Sequence, residues 1–459
     1  MTATERSISR GVVTRYAIGS IGTGGFATLP GLVLVYYLTD TLGVTALVAG
    51  LVVTAAKVWD VVIDPWIGER SDRRLVRTGT RRTWMVVGAI ALPVGFLLTF
   101  AVPAGSIPAV ATVWVFLSFL TTATAFSLFQ VPYIALPAEL TTDYDARTRL
   151  LTWRVVVLTI AILLFGAGGP ELRGAFADEH TGYLVMALVA GVVIGVGMLV
   201  ASTTAPKNLA VTDAAPRRSI RAGYAEGLAA LRRSAPFRAL LAAFVLQGLA
   251  TGLMLAGAQF VATWVLRDEG AVTYLFVALI APAVFAAPVW ERVARRVGKE
   301  RGFAIASVVF GVAALTLVGM VWAPGPWIYL PVAVAGIGYA GMQSLPMAML
   351  PDVISHDART HGLGRAGSFG GVWTAGETAG MALGATVLTI VLALTGYLQS
   401  SGSEIVTQSP TAVAGIALSF SVIPALLVAA SLFALRRYPL RRSDIDADAA
   451  AAAVTAVAR

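Results

Sequence analysis

Long apolar runs separated by short polar segments make up most of this chain of 459 residues. Each run holds about 20 residues or more, enough for a helix to cross the roughly 30 Å of hydrocarbon in a bilayer. The runs are predicted at 14–38, 44–68, 84–103, 108–136, 150–169, 182–202, 237–265, 271–290, 303–322, 326–350, 368–397 and 411–435. The pattern therefore predicts an all-α polytopic membrane protein with twelve transmembrane helices, embedded in the lipid bilayer.

The longest polar connection divides these spans into two sets of six. We predict an N-terminal six-helix bundle at 1–203, a central cytoplasmic loop at 204–236, a C-terminal six-helix bundle at 237–438 and a flexible tail at 439–459. The loop after the second span begins ERSDRR, and the loop after the eighth span begins ERVARR. Parallel six-helix halves produce such a repeat, although two solvated basic loops would also explain it.

Basic residues are concentrated in alternate loops. Arg173 and Arg267 are the exceptions in the remaining loops. By the positive-inside rule, both termini are expected in the cytoplasm. The excess of Arg over Lys and the abundance of Ala, Val and Gly suggest a bacterial source, so the inner membrane is the expected location. The basic residues behind the net charge of +9 alternate with the spans and do not cluster on one soluble domain. No nucleic-acid partner is therefore expected.

Composition agrees with a membrane protein, since 57% of the residues are hydrophobic and only 13% are charged. There is no cysteine, and the three histidines lie in predicted loops. Disulfides, thiol catalysis, and haem or zinc centres within the membrane are therefore not expected, and we predict no cofactor. The first apolar run is too long for a cleavable signal peptide and leads straight into the second, so no such peptide is expected.

The second span carries three ionisable residues, Lys57, Asp60 and Asp64. At about 100° per residue they fall within roughly 60° of one another, on one helix face. Each charge at the bilayer centre costs about 2.5–3.5 kcal/mol, so this face should look into a polar interior. Two carboxylates about 6 Å apart can share a cation or a proton, which indicates an ion site; the alternative is an internal salt bridge from Lys57.

Glycines recur in the first, tenth and eleventh spans, often at spacings that bring them to one side of a helix. Small residues four positions apart let helix backbones approach closely. We interpret them as packing or sliding seams: Gly19, Gly22, Gly24, Gly25, Gly336, Gly338, Gly341, Gly376, Gly380 and Gly384.

Several motifs resemble the glycoside–pentoside–hexuronide:cation symporters, the melibiose-permease-like branch of the major facilitator superfamily. They are Trp59-Asp60-x-x-x-Asp64-Pro65, the run from Pro132-Tyr133 to Leu150, Tyr36-Tyr37-x-Thr39-Asp40, Leu350-Pro351-Asp352-Val353 and Gly371-Val372-Trp373. The resemblance covers nearly the whole chain. It implies the major facilitator fold, with two six-helix bundles around a cavity, and solute uptake by alternating access driven by Na⁺, Li⁺ or H⁺.

The resemblance also assigns a cation site. Asp60 and Asp64 match the two cation-binding aspartates, which would be the metal ligands if the ion is Na⁺, and Ser127 falls where the family has a hydroxyl ligand. Ile63 stands where sodium-using members carry an asparagine ligand. Loss of one oxygen weakens a hard-cation site for Na⁺ more than for H⁺, so we expect H⁺ ahead of Na⁺.

The sugar-binding positions depart further from the family. Gly24 and Gln130 replace aspartates, Ile134 replaces a stacking aromatic residue, and Arg154 is retained. These losses argue against a galactoside substrate. Arg154 suits either an anionic group of the solute or a structural bridge to Asp60 or Asp64.

The remaining candidates for contact with the solute are Lys57, Thr378 and Glu377. Thr378 lies where many members have lysine. Glu377 beside it is a possible third carboxylate, or simply a residue near a helix end.

Three functions are considered for a chain with this sequence. The first is a monomeric, cation-coupled transporter of a small polar solute, sugar-like or sugar-acid-like. The second is transport of an amphipathic compound, either lysolipid uptake, as in the animal lysophosphatidylcholine symporter, or export of a drug or metabolite; the apolar 24–34 face of the first span favours it. The third, a membrane enzyme or channel, lacks paired catalytic groups in the membrane outside the second span, so no enzymatic activity is expected.

Overall fold

The computed structural model describes residues 8–141, 143–206, 229, 231–361, 366–400 and 406–441. Twelve helices in this part of the chain are long and apolar enough to span a membrane. Numbered α1 to α12 in chain order, they are Arg10–Thr41, Ala46–Thr78, Arg82–Phe100, Pro108–Pro137, Ala146–Gly174, Glu179–Ser202, Ala235–Val265, Ala271–Val297, Lys299–Val321, Pro326–Asp357, Phe369–Leu394 and Pro410–Leu435. The prediction of an all-α protein with twelve spans is confirmed.

The chain forms two compact units. Unit 1 comprises Met1–Arg217 with Tyr397–Gln408, and unit 2 comprises Arg218–Gly396 with Ser409–Arg459. Most of the predicted central loop, 207–228 and residue 230, and the predicted tail from 442 onward lie outside the described residues.

The helices pack in the same pairs in both units. In unit 1, α1 packs on α5 and α6, α2 on α4, and α3 on α4 and α6. In unit 2, α7 packs on α11 and α12, α8 on α10, and α9 on α10 and α12. Moreover, α1 and α7 each end in a turn of π-helix, Tyr37–Thr41 and Val261–Val265. The repeat suggested by the two similar loops therefore extends to the packing of each six-helix unit.

Several predicted span ends are too early. The tenth span was predicted to end at 350, whereas α10 continues to Asp357. The second was predicted to end at 68 and the eighth at 290, but α2 continues to Thr78 and α8 to Val297. The charged residues that follow the apolar runs stay helical because they pair one turn apart, as Glu291 does with Arg295 at 3.2 Å. Helices α2 and α8 then each end at a glycine with positive φ, 68° at Gly79 and 95° at Gly298.

The predicted glycine seams are confirmed where helices cross. A Cβ built on Gly24 in α1 would lie 2.8 Å from the Cβ of Ala161 in α5. A Cβ on Gly380 in α11 would lie 2.8 Å from the carbonyl oxygen of Val245 in α7. Both contacts are too close for a larger residue, so these glycines set the helix separation in the corresponding pairs α1–α5 and α7–α11.

Candidate functional site

The candidate ion site lies on one face of α2. Lys57, Asp60 and Asp64 share this face, and the Lys57 Nζ lies 3.3 Å from the Asp60 Oδ2. The other face carries Val58 and Val62, which are 59% and 61% exposed. The helix therefore divides into an apolar face suited to lipid and a charged face turned into unit 1, where Asp60 is only 8% exposed.

Helix α4 supplies the second wall of this site. The Ser127 hydroxyl is in position to donate a hydrogen bond to the Asp64 carboxylate, and Ser127 is 2% exposed. The Trp59 Nε1 donates to the Thr124 Oγ1 at 2.9 Å, which ties α2 to α4 one turn before Ser127. The structure thus brings together Asp60, Asp64 and Ser127, three of the residues that the family resemblance assigned to the cation.

Two carboxylate oxygens in this cluster have no hydrogen-bond partner. The Oδ1 atoms of Asp60 and Asp64 are both buried and unsatisfied in the described part of the chain. Buried acceptors of this kind normally have a partner, and carboxylate and hydroxyl oxygens are suitable ligands for a small hard cation. A bound cation or protonation of the carboxylates would satisfy such oxygens, so the residues present fit a coupling ion.

The third group on the face, Lys57, is held by two contacts. Besides its ion pair with Asp60, the Nζ lies 5.7 Å from the centroid of the Phe26 ring in α1. The ammonium therefore contacts one carboxylate and one aromatic ring, while the Ser127 hydroxyl lies near Asp64. The internal salt bridge considered from the sequence is present, but it leaves one oxygen of Asp60 and one of Asp64 available.

Arg154 lies apart from this ion pair. Its guanidinium is 5.6 Å from the Tyr133 ring centroid, and its Nε is buried without a hydrogen-bond partner. Tyr133 is itself fixed, because its hydroxyl contacts the carbonyl of Tyr16 at 2.8 Å and the Ser20 hydroxyl at 3.0 Å. Among the described residues no ion pair joins Arg154 to an aspartate, so the structural-bridge interpretation gains no support here.

The other candidates in unit 1 occupy varied environments. The Gln130 Oε1 accepts a hydrogen bond from the Thr23 Oγ1 at 2.8 Å, which links α4 to α1. Gly24 lies in the α1–α5 contact, where its lack of a side chain serves packing. Ile134 is 53% exposed.

Glu377 and Thr378 lie on α11 in unit 2. Glu377 lines a cavity formed by α7, α10 and α11, together with Gln247, Tyr339 and Gln343. Thr378 is half-buried and is not among the lining residues. Glu377 therefore lies within α11 and against this cavity, and its role as a third carboxylate stays a prediction.

Sequence reasoning missed the groups that hold these side chains. Phe26 contacts Lys57, Tyr133 contacts Arg154, and Thr124 accepts from Trp59 beside Asp60. Of these three partners, only Tyr133 belonged to a quoted motif. Aromatic and hydroxyl residues are common in apolar helices, so nothing in the pattern marked the other two.

Comparisons with known proteins identify the family of this chain. The family described as "MFS/sugar transport protein" matches residues 15–442. The chain belongs to the MFS/sugar transport protein family. The resemblance to glycoside–pentoside–hexuronide:cation symporters is thereby confirmed, and the protein is a multi-pass membrane protein of a transporter family.

Two relatives and one solved structure match this chain over almost its full length. The chain is 24% identical over 445 residues to "Glucuronide carrier protein homolog" of Escherichia coli (strain K12), covering 95% of this chain and 94% of the relative. It is 24% identical to "Putative glycoside/cation symporter YagG" of the same organism, with 94% and 92% covered. The crystal structure of nucleoside transporter NupG has the same fold, with a TM-score of 0.64, 13% identity, and 94% of this chain and 99% of that chain covered. The family match at residues 15–442 includes helices of both units.

Proposed function

We propose that this protein is a cation-coupled symporter that moves a small, polar, sugar-like solute across the bacterial inner membrane by alternating access. The observation that carries the proposal is the cluster of Asp60, Asp64 and Ser127 on α2 and α4, with two buried carboxylate oxygens that lack partners. Membership of the MFS/sugar transport protein family and the names of the two E. coli relatives support a sugar-like solute and a coupling cation.

The coupling ion would act by changing the charge of this cluster. Without it, two carboxylates face one ammonium, so the face carries an excess negative charge in a region of low dielectric. Binding of one monovalent cation cancels that excess. If the solute binds better to the neutral state, linkage requires that the ion also bind better when the solute is present, typically by about 1–3 kcal/mol.

We propose H⁺ ahead of Na⁺ as the coupling ion. The side chain of Ile63 on α2 supplies no oxygen, which leaves two carboxylates and one hydroxyl as ligands in this cluster. Na⁺ requires several oxygen ligands at once, whereas a proton requires only one carboxylate.

The test is gradient-driven uptake into proteoliposomes of purified protein. A panel of glycosides, sugar acids and an amphipathic lysolipid would be offered under an imposed pH gradient, an imposed Na⁺ gradient, or neither. We expect saturable accumulation of a glycoside or sugar acid that an H⁺ gradient drives and a protonophore abolishes.

Two results would count against this account. Accumulation of the lysolipid alone would replace the sugar-like solute with an amphipathic one. Non-saturating flux in every condition would indicate a channel and remove the coupling mechanism.

A further inference from the structure

Trp59 belongs to the same motif on α2 as Asp60 and Asp64, and the proposed coupling mechanism gives it no role. Its indole Nε1 donates to the Thr124 Oγ1 on α4 at 2.9 Å. The Thr124 hydroxyl itself donates to the Leu120 carbonyl at 2.8 Å, so towards Trp59 it can only accept. The contact therefore depends on the indole N–H, a donor that a phenyl ring at the same position would lack.

This hydrogen bond lies close to the pair formed by Asp64 and Ser127. Asp64 follows Trp59 by about 7.5 Å along α2, and Ser127 follows Thr124 by about 4.5 Å along α4. The Ser127 hydroxyl is in position to donate to the Asp64 carboxylate. The two contacts follow one another in the same direction along both helices, so the position of the first restrains the geometry of the second.

A second polar contact joins the two segments beyond the ion site, towards their carboxyl ends. Arg81 bridges α2 to the segment after α4, because its Nη1 donates to the Ser71 Oγ at 2.9 Å and its Nε to the Glu139 Oε1 at 2.5 Å. Side-chain hydrogen bonds between helices add a directional restraint to packing that otherwise consists of van der Waals contacts. Loss of the Trp59 contact should therefore loosen the helices near Asp64 while Arg81 keeps them together.

We propose that Trp59 is a positioning residue for the coupling ion, because its hydrogen bond to Thr124 sets the register of α2 against α4 that brings the Ser127 hydroxyl to Asp64. The inference rests on the proposed function and adds a residue to its ion site. The Trp59 side chain has no oxygen, so it acts on the ion through Ser127. A tryptophan that served packing alone would change the stability of unit 1 but not the ion concentration at which uptake is half-maximal.

The test measures how accumulation depends on the coupling ion in proteoliposomes, with the solute that wild type accumulates as the probe. Trp59→Phe keeps an aromatic ring and removes the N–H, and Ser127→Ala removes the hydroxyl. The readout is the external pH at which accumulation is half-maximal, or the half-saturating Na⁺ concentration if Na⁺ drives uptake. A loss of folded protein lowers the amount of accumulated solute and leaves this midpoint in place.

Both variants should move the midpoint in the same direction. A hydroxyl that donates to a carboxylate favours the charged form of that carboxylate. With H⁺ as the coupling ion, the midpoint should therefore move to higher pH, by about one pH unit for Ser127→Ala and by less for Trp59→Phe. With Na⁺ as the ion, the half-saturating concentration should rise, because the ion loses a ligand.

The charged groups near Asp64 are Lys57 and Asp60 of the same helix. The sequences 16–39 of α1 and 108–137 of α4, which pack on α2, contain no Asp, Glu, Lys or Arg. Every variant retains Lys57 and both aspartates, so a moved midpoint reports the loss of the hydroxyl contact.

The decisive comparison is the double variant Trp59→Phe/Ser127→Ala. If Trp59 acts through Ser127, its loss has no further effect once the hydroxyl is gone, so the double variant should have the midpoint of Ser127→Ala alone. Thr124→Val removes the acceptor and should move the midpoint as Trp59→Phe does. Thr124→Ser keeps the acceptor and should resemble wild type.

Trp114→Phe is the matched control. The Trp114 Nε1 donates to the Leu98 carbonyl at 2.8 Å, which links α4 to α3 about 15 Å along α4 from Thr124. Its loss should leave the midpoint unchanged. Thermal unfolding of Trp59→Phe, Thr124→Val and the double variant tests the hydrogen bond without transport, and the shifts in unfolding temperature should be non-additive.

The outcomes separate this inference from the proposed function. If wild type shows no gradient-driven accumulation, the proposed function fails and the inference fails with it. If wild type accumulates solute but Trp59→Phe has the wild-type midpoint, the inference alone is overturned. An equal shift by Trp59→Phe with and without the Ser127 hydroxyl, or additive unfolding shifts for Trp59→Phe and Thr124→Val, would also overturn it.

Discussion

The pair formed by Lys57 and Asp60 offers a quantitative test of the ion site. At 3.3 Å, two unit charges attract by about 5 kcal/mol for an effective dielectric constant of about 20. The Lys57 side chain is 30% exposed and that of Asp60 is 12% exposed, so solvent screens part of this attraction. Breaking a fully buried pair costs about 3–5 kcal/mol, and for this geometry we expect a coupling of about 1–3 kcal/mol.

A double-mutant cycle measures this coupling. Lys57→Met should destabilise the protein because it leaves Asp60 charged and unpaired, and Asp60→Asn introduced into that variant should recover part of the loss. The assay is thermal unfolding of wild type, the two single variants and the double variant in the same detergent. With about 2–4 °C per kcal/mol for a unit of this size, the apparent unfolding temperatures should be non-additive by about 2–12 °C.

The matched control is the same cycle with Asp64→Asn. The Lys57 ion pair within 4 Å is with Asp60, and among the described residues no such pair joins Lys57 to Asp64, so the coupling of Asp64 to Lys57 should be clearly smaller than that of Asp60. Additive effects of Lys57→Met and Asp60→Asn, within about 0.5 kcal/mol, would refute the ion pair.

Three further predictions concern Arg154, the glycine seams and the membrane topology. If the solute is a sugar acid whose anionic group Arg154 holds, Arg154→Lys should weaken its binding at least 10-fold in titration calorimetry, because a point charge cannot replace the planar guanidinium; normal binding would exclude that contact. Gly380→Ala should destabilise the protein by about 1–3 kcal/mol in thermal unfolding, since its Cβ would meet the Val245 carbonyl at 2.8 Å. The control Gly371→Ala should be neutral or stabilising by up to about 1 kcal/mol, because a Cβ there has nothing within 4 Å. An activity reporter fused after Arg459 should be cytoplasmic and one inserted at Phe176 external, as the positive-inside rule predicts; the reverse pattern would invert the topology.

Much of the fold could be predicted from the sequence because apolar length is a local property. Twelve runs predicted twelve helices, and twelve are present among the described residues. The ends of α2 and α8 were missed because counting apolar residues stops at the first charges, whereas Glu291 and Arg295 continue the helix through an i,i+4 pair.

Only the part of the candidate site that lies on one helix could be predicted from the sequence. Helical periodicity places Lys57, Asp60 and Asp64 on one face without knowledge of any neighbour. The contact of Arg154 with Tyr133 depends on how α4 and α5 pack, and the cavity around Glu377 depends on three helices far apart in sequence. Such contacts follow from tertiary packing, which a periodic pattern does not encode.

The most direct test of the coupling mechanism compares accumulation with counterflow for Asp60→Asn and Asp64→Asn in right-side-out vesicles. Neutralising a carboxylate imitates its ion-bound charge, so each variant should lose gradient-driven accumulation, while at least one should still exchange solute down its own gradient. Wild-type accumulation should follow pH more than Na⁺. Full accumulation by the double variant Asp60→Asn/Asp64→Asn would contradict the ion site, and strong Na⁺ stimulation of wild type at constant pH would contradict the preference for protons.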